Sequence, residues 1–187
     1  MIEQEYKILL DYEQYHKLKK ILSFSEERVQ KNYYYDTKDF YFSDKGITIR
    51  IRSIDGLLPK LQIKQSLGSK QYGVKCNKEY EKVISTIVDS IEIATLEEVM
   101  GEKFNLEYSK VINLGYLTTT RLICDIKNCE IALDKNEYLN KVDYELEIEF
   151  DNDNHSALEI LEYLGVKIPY SILGKNKRFI QELKRQK

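Results

Sequence analysis

The stretch Asp143-Tyr144-Glu145-Leu146-Glu147-Ile148-Glu149-Phe150 alternates strictly between acidic and apolar residues. Successive side chains of a strand point to opposite faces, so Val142–Phe150 reads as a strand. Asp143, Glu145, Glu147 and Glu149 lie on one face, with Tyr144, Leu146, Ile148 and Phe150 on the other. Carboxylates spaced about 7 Å apart along one face repel one another unless a cation lies among them. The same phase recurs along the chain. Ile2–Leu9 sets Glu3, Glu5 and Lys7 against Ile2, Tyr6 and Ile8. Ile47–Ser53 sets Thr48, Arg50 and Arg52 against Ile47, Ile49 and Ile51, and Lys60–Gln65 sets Gln62 and Lys64 against Leu61 and Ile63. Glu79 and Glu81 share a face of Gly73–Val83, Arg121 and Asp125 one of Leu117–Ile126, and Asp134 aligns with Glu130 and Ala132 on Cys129–Lys135.

Val29–Asp36 and Phe104–Leu114 complete the strands, with turn chemistry at Gly46, Asp55-Gly56 and Ser66–Gly73, a loop that reads as a lid or a hairpin connection. Helices are expected from Asp11, with a capping box through Gln14, from Thr95 to Met100 with a box through Glu98, and from Asn154 to Leu164. A last helix is expected from near Ser171, carrying Phe179, Ile180 and Leu183 on one face. Consecutive strands joined by short turns predict one α+β domain, residues 1–187, with a largely antiparallel sheet.

A sheet with one wet face alternates in the same way. Two features favour a closed sheet with its charged face inward: the density of like charge, and the segregation of paired Arg and Lys from paired Glu. Such a channel, covered outside by amphipathic helices, needs a highly charged occupant to be tolerable. A polyphosphate with Mg²⁺ or Mn²⁺ has that chemistry, because both ions prefer oxygen ligands.

The 29 Lys and Arg against 31 Asp and Glu leave a formal charge of −2, which argues against a dedicated nucleic-acid partner. No apolar run is long enough to span a bilayer, and the N-terminal residues carry no apolar signal core, so neither a membrane nor a secretory route is expected. Cys76, Cys124 and Cys129 are odd in number and lack C-x-x-C spacing, which points to reduced thiols and a cytoplasmic protein. His16 and His155 fall on expected helices, away from the strand faces. The Walker A spacing is absent at Gly174-Lys175.

Glu3-Gln4-Glu5-Tyr6-Lys7 resembles the E-x-E-x-K signature of the CYTH family, the triphosphate tunnel metalloenzymes, which include thiamine triphosphatases and class IV adenylate cyclases. Tyr33–Thr37 resembles that family's aromatic YFDT strand, Arg50-Ile51-Arg52 its R-x-R strand, and Ile63-Lys64 its TLK strand. Glu79-Tyr80-Glu81 resembles its E-x-E segment, with Lys78 standing where Arg is usual. Arg121, Asp134, Glu147-Ile148-Glu149 and Lys175 follow in the family's order.

The resemblance implies a closed eight-stranded antiparallel barrel whose lumen holds a triphosphate. It implies Glu3, Glu5, Glu147 and Glu149 as metal ligands, and Lys7, Arg50, Arg52, Lys64, Arg121 and Lys175 as phosphate clamps. Glu81, Asp134 and Glu145 are candidates for orienting the attacking water, with Lys7 also placed in the catalytic set. Glu145 reads equally as a rim residue. The leading expectation is a Mg²⁺- or Mn²⁺-dependent triphosphatase acting on inorganic triphosphate or a small organic triphosphate. A cyclase making cAMP from ATP and a binding module without turnover remain open, as does the oligomeric state.

Overall fold

The computed structural model describes residues 2–69, 74–151, 154–168 and 173–186. Eight antiparallel strands form the ring: β1 (Ile2–Leu10), β2 (Glu26–Asp36), β3 (Ile47–Ile54), β4 (Lys60–Ser69), β5 (Lys75–Val83), β7 (Lys110–Ile126), β8 (Cys129–Tyr138) and β9 (Lys141–Phe150). Their order is β2-β3-β4-β5-β1-β9-β8-β7, and pairing of β2 with β7 closes the barrel. Closure removes the open sheet edges that would otherwise template aggregation. A short β6 (Ser90–Glu92) adds to the start of β7.

The apolar phase of each strand faces outward, under helices. Tyr6, Ile8, Leu133, Leu146 and Ile148 pack beneath α1 (Tyr12–Ile21) and α4 (His155–Leu164). Ile49, Ile51, Leu61 and Ile63 pack beneath α3 (Ile93–Met100), with Phe42 of the single-turn α2 (Tyr41–Asp44) beside them. At one end of the barrel the inward phase itself turns apolar: Tyr34, Leu117 and Tyr138 pack against Phe179 and Ile180 of α5 (Lys175–Arg185), which lies across that end. These clusters supply the burial that drives folding, and the outer two leave the rest of the lumen free for charge. The three cysteines are buried and unpaired.

Asp11 caps α1 as expected, accepting from the Gln14 N–H while Gln14 Oε1 accepts from the Asp11 N–H. Elsewhere the boundaries move. The two strands expected at Phe104–Leu114 and Leu117–Ile126 are one continuous 17-residue β7 beginning at Lys110. Gly115 does not break it, because its φ of +124° absorbs a register shift opposite Tyr34 and Tyr35. The helix expected at Thr95 begins at Ile93, with Glu92 as its N-cap residue and no side-chain cap. Strand β4 runs on to Ser69, past the expected turn, while Lys70–Gly73 lie outside the described residues. The last helix starts at Lys175, after Gly174, and Ser171 lies outside the described residues.

Candidate active site in the barrel lumen

The inward phase of the eight strands, joined by α5, brings most of the barrel's charged side chains into one lumen. Its cationic wall comes from β3 and β7. Arg50 Nε donates to Gln62 Oε1 at 2.9 Å, and Arg52 Nε donates to Asn32 Oδ1 at 3.0 Å. Neither guanidinium makes an ion pair among the described residues. Burial, then the nearby Arg50 and Arg121, push the Arg52 pKa down to about 9. Arg121 is held more firmly: it grips Asp134 in a bidentate pair at 2.8 and 2.7 Å and reaches Glu147 at 2.5 Å.

Lys175 enters the lumen from the first turn of α5. Its Nζ lies 2.9 Å from Asp134, 2.5 Å from Glu145 and 2.6 Å from Glu147. Oxygens of these three carboxylates lie within 4.8 Å of one another, close enough to share a cation, and the ammonium is placed among them. Lys7 pairs with Glu5 at 2.9 Å and with Glu147 at 3.0 Å. Burial opposes ionisation of Glu147, but Arg121, Lys175 and Lys7 outweigh it and hold the carboxyl well below the usual range.

The opposite wall, from β1 and β9, is acidic and unevenly compensated: Lys7 and Lys64 outweigh burial at Glu5 and hold its carboxyl low, whereas Glu3 and Glu149 are pushed up. Glu5 faces Glu149 in register, and Glu149 faces Glu130, so like charges stand directly opposite across three strands. Burial, then Glu3, Glu130 and Glu5, push the Glu149 carboxyl up to about 7. Burial and Glu5 raise Glu3 as well, although Lys64 donates to it and also lies 3.5 Å from Glu5 and 3.1 Å from Glu79. Crowded, half-desolvated carboxylates of this kind fit a divalent cation with a preference for oxygen ligands. The Asp134–Glu145–Glu147 oxygens, the one group that converges this closely among the described residues, already surround the Lys175 ammonium, which leaves Glu3, Glu5 and Glu149, with Glu147 adjoining, as carboxylates that could hold a metal.

Every residue singled out from the sequence alternation lies on the lumen side of its strand, but not all lie deep. Glu81 sits at the mouth, bound by Lys60 at 2.6 Å and by Gln62 at 2.7 Å. Asp134 and Lys7 are fully engaged by partners of opposite charge. Glu145 is 0% exposed and no rim residue, because Lys175 and Arg178 neutralise it inside the barrel. Lys78 points outward, its ammonium 4.8 Å from the Tyr80 ring centre, so it does not replace a lumen arginine. The inward positions of β5 are Lys75, opposite Glu5, and Asn77, opposite Glu3. Stepping back in twos from Glu79 reaches both, so the strand phase carried this signal.

Of three further lumen residues, Gln30 and Asn32 escaped the sequence reading, and Tyr34 was read only as part of the aromatic strand. Gln30, Asn32 and Tyr34 are 2%, 1% and 0% exposed on the inward face of β2. Both amide atoms of Gln30, the Asn32 Nδ2 and the Tyr34 hydroxyl lack hydrogen-bond partners among the described residues. Neutral residues give no charge pattern to read. Near Arg52 the lumen widens into an open pocket of about 680 Å³ lined by residues including Arg28, Leu57, Leu58, Lys60 and Gln62.

A closed antiparallel barrel with a segregated, charged lumen defines a tunnel protein built to hold a compact polyanion. The chain belongs to the CYTH domain family, whose pattern matches residues 1–168. It is 28% identical over 168 residues to the "Putative triphosphatase YjbK" of Bacillus subtilis, covering 87% of this chain and 84% of that protein. Among solved structures, HpAC1 from Hippeastrum, a "putative adenylyl cyclase" described as showing "a dominant triphophatase activity", superimposes with a TM-score of 0.71. It is 20% identical, over 96% of this chain and 95% of that one. A "putative adenylate cyclase" from Bacillus halodurans gives 0.70 at 22% identity, over 94% and 95% of the two chains. At these identities the two structures establish the barrel only. Among the described residues no helix is long and apolar enough to cross a membrane.

Proposed function

We propose that this protein is a Mg²⁺- or Mn²⁺-dependent triphosphatase that hydrolyses inorganic triphosphate, or a small organic triphosphate, inside the barrel. The observation that carries the reading is the pair Arg50 and Arg52, two half-buried guanidiniums without carboxylate partners among the described residues. An anion placed between them relieves the desolvation of Arg52 and the mutual repulsion of the pair. Phosphate is favoured over carboxylate because the lumen offers cations in depth, with Lys64, Lys7 and Lys175 beyond the arginines, and an acidic wall opposite for a bridging metal. The triphosphatase description of the Bacillus subtilis relative agrees.

The work divides between the walls. Arg50, Arg52, Lys64 and Arg121 bind and orient the phosphate chain. Glu3, Glu5, Glu147 and Glu149 hold the metal, which when bound neutralises charge on the transferred phosphoryl group. Lys7 bridges the walls through Glu5 and Glu147. Lys175 makes α5 part of the site, so we take residues 1–187 as one working unit. The mouth pocket has no aromatic ring among its described lining residues, which supports inorganic triphosphate ahead of substrates whose base must stack.

The test is phosphate release from inorganic triphosphate with Mg²⁺, Mn²⁺ or a chelator. Metal-dependent release is expected from the wild type and a loss of at least about 100-fold from Glu5→Gln, which removes an anionic ligand. Arg52→Ala is expected to raise KM by about 10- to 100-fold, the range for a lost charge-assisted contact. Release without metal, or an unaltered Glu5→Gln, refutes the metal assignment. Conversion of ATP to cAMP in place of phosphate release would establish the cyclase reading.

A further inference from the structure

We infer that Gln30 holds the attacking water of this reaction, an assignment that rests on the triphosphatase reading above. The charged residues first suited to the task are occupied: Asp134 by Arg121 and Lys175, Glu145 by Lys175 and Arg178, and Glu81 by Lys60 and Gln62 at the mouth. Gln30 is not. It is 2% exposed, and neither its amide oxygen nor its amide nitrogen has a partner among the described residues. A buried amide with both ends unsatisfied costs stability and calls for an explanation.

Its place on the barrel supplies one. Gln30 pairs in register with Ile54 on one side and Thr119 on the other. Arg52 and Arg121 stand two residues along from those partners, so Gln30 has both as diagonal neighbours, about 7–8 Å away across the sheet. The neutral side chain thus lies on the inward face of the strand between those that carry Arg52 and Arg121, beside the phosphoryl group that Arg52 binds. The Arg52 and Arg121 guanidiniums can only donate, and the Glu26 carboxylate on the same face of β2 already accepts from Arg28. Gln30 Oε1 is an uncommitted acceptor there, and an acceptor is what a hydrogen-bearing nucleophile needs. Its amide N–H groups remain to donate to a phosphoryl oxygen, which fixes the water relative to phosphorus. Asn32 cannot take the same role, since its oxygen is committed to Arg52 Nε.

Gln30 is no base, and the chemistry does not ask for one. The water oxygen bonds to the terminal phosphorus while the bridging P–O bond breaks, its electron pair leaving with diphosphate. One water proton stays on the new phosphate and the other passes to the diphosphate. In a loose transition state little proton transfer precedes bond cleavage, so an orienting acceptor suffices.

The experiment compares Gln30→Leu with wild type using inorganic triphosphate and Mn²⁺. It includes calorimetric binding of imidotriphosphate, a non-hydrolysable analogue, and thermal melting without ligand. Leucine keeps the approximate volume and removes both polar ends. The expected result is a fall in kcat of about 100-fold, the scale of a mispositioned reactant. KM and analogue affinity should stay within about 3-fold, because the phosphate clamps are intact. The ligand-free melting temperature should rise by about 2–4 °C, since an unsatisfied amide has gone. That combination of lower turnover with a more stable protein has no structural explanation. Unchanged kcat overturns the assignment alone. Weakened analogue binding with kcat retained overturns it in favour of a phosphate contact. A lower melting temperature with equal losses of kcat and binding overturns it in favour of a structural role. No phosphate release by the wild type overturns the triphosphatase reading and this assignment with it.

Discussion

Glu149→Gln should stabilise the metal-free protein while weakening its hold on a divalent cation. In the native barrel this carboxyl is pushed from its ordinary 4.5 to about 7, by burial first and then by Glu3, Glu130 and Glu5. Between those values the native state keeps a proton that the unfolded chain has released. Stability therefore falls as pH rises through the window from 4.5 to about 7, and stays low above it. At about 1.4 kcal/mol per pH unit the ceiling is roughly 3 kcal/mol. Water reaches this half-buried side chain and screens it, so about 1–2 kcal/mol is the working figure. Melting followed by circular dichroism in chelator, from pH 4.5 to 8.5, should show the two proteins alike at the acid end. At pH 8 the variant should melt about 2–8 °C higher. Added Mn²⁺ should then raise the wild-type midpoint more than the variant's. A wild type that keeps pace with Glu149→Gln across the whole range would refute the electrostatic argument. Equal stabilisation of both by Mn²⁺ would remove Glu149 from the metal set.

Two more predictions concern the scaffold. Asp36 accepts from the backbone N–H groups of Thr37, Phe42 and Ser43 at 2.8–3.0 Å, so Asp36→Ala leaves buried donors unpaired and should cost about 3 kcal/mol in urea unfolding. A loss below about 1 kcal/mol would show that water replaces the carboxylate. Gly115→Ala combines a φ of +124° with a new Cβ 3.1 Å from Phe179 Cζ, and should cost about 1–3 kcal/mol. Because the Phe179 and Ile180 contacts seat α5 and with it Lys175 in the lumen, the same variant should also raise KM for triphosphate, and an unchanged KM would show that α5 keeps its seat.

The period-two alternation of DYELEIEF, ITIRIR and EQEYKI was legible because one face of each strand is mainly apolar and the other mainly charged, with Gln4 and Thr48 as the exceptions. That contrast determined the strands, their inward faces and the segregation of arginines from glutamates. It also carried the resemblance to the CYTH family. Boundaries were less legible where backbone conformation overrides residue type: the two strands expected either side of residues 115 and 116 are one β7, with Gly115 as a bulge inside it.

Which charges remain available was decided by the tertiary structure. Arg121 and Arg52 look equivalent as residues, yet one is locked by Asp134 and the other, among the described residues, donates only to an amide. Glu145 and Glu149 sit four residues apart on one strand face, yet Lys175 and Arg178 from α5 neutralise the first and leave the second among like charges. Gln30 carries no charge for a pattern to register, and only its burial without a partner brings it to notice. Alternation along a strand is a local property, set by the geometry of successive residues. Ionisation and hydrogen-bond satisfaction depend on neighbours that the closing of the barrel brings together from distant parts of the chain.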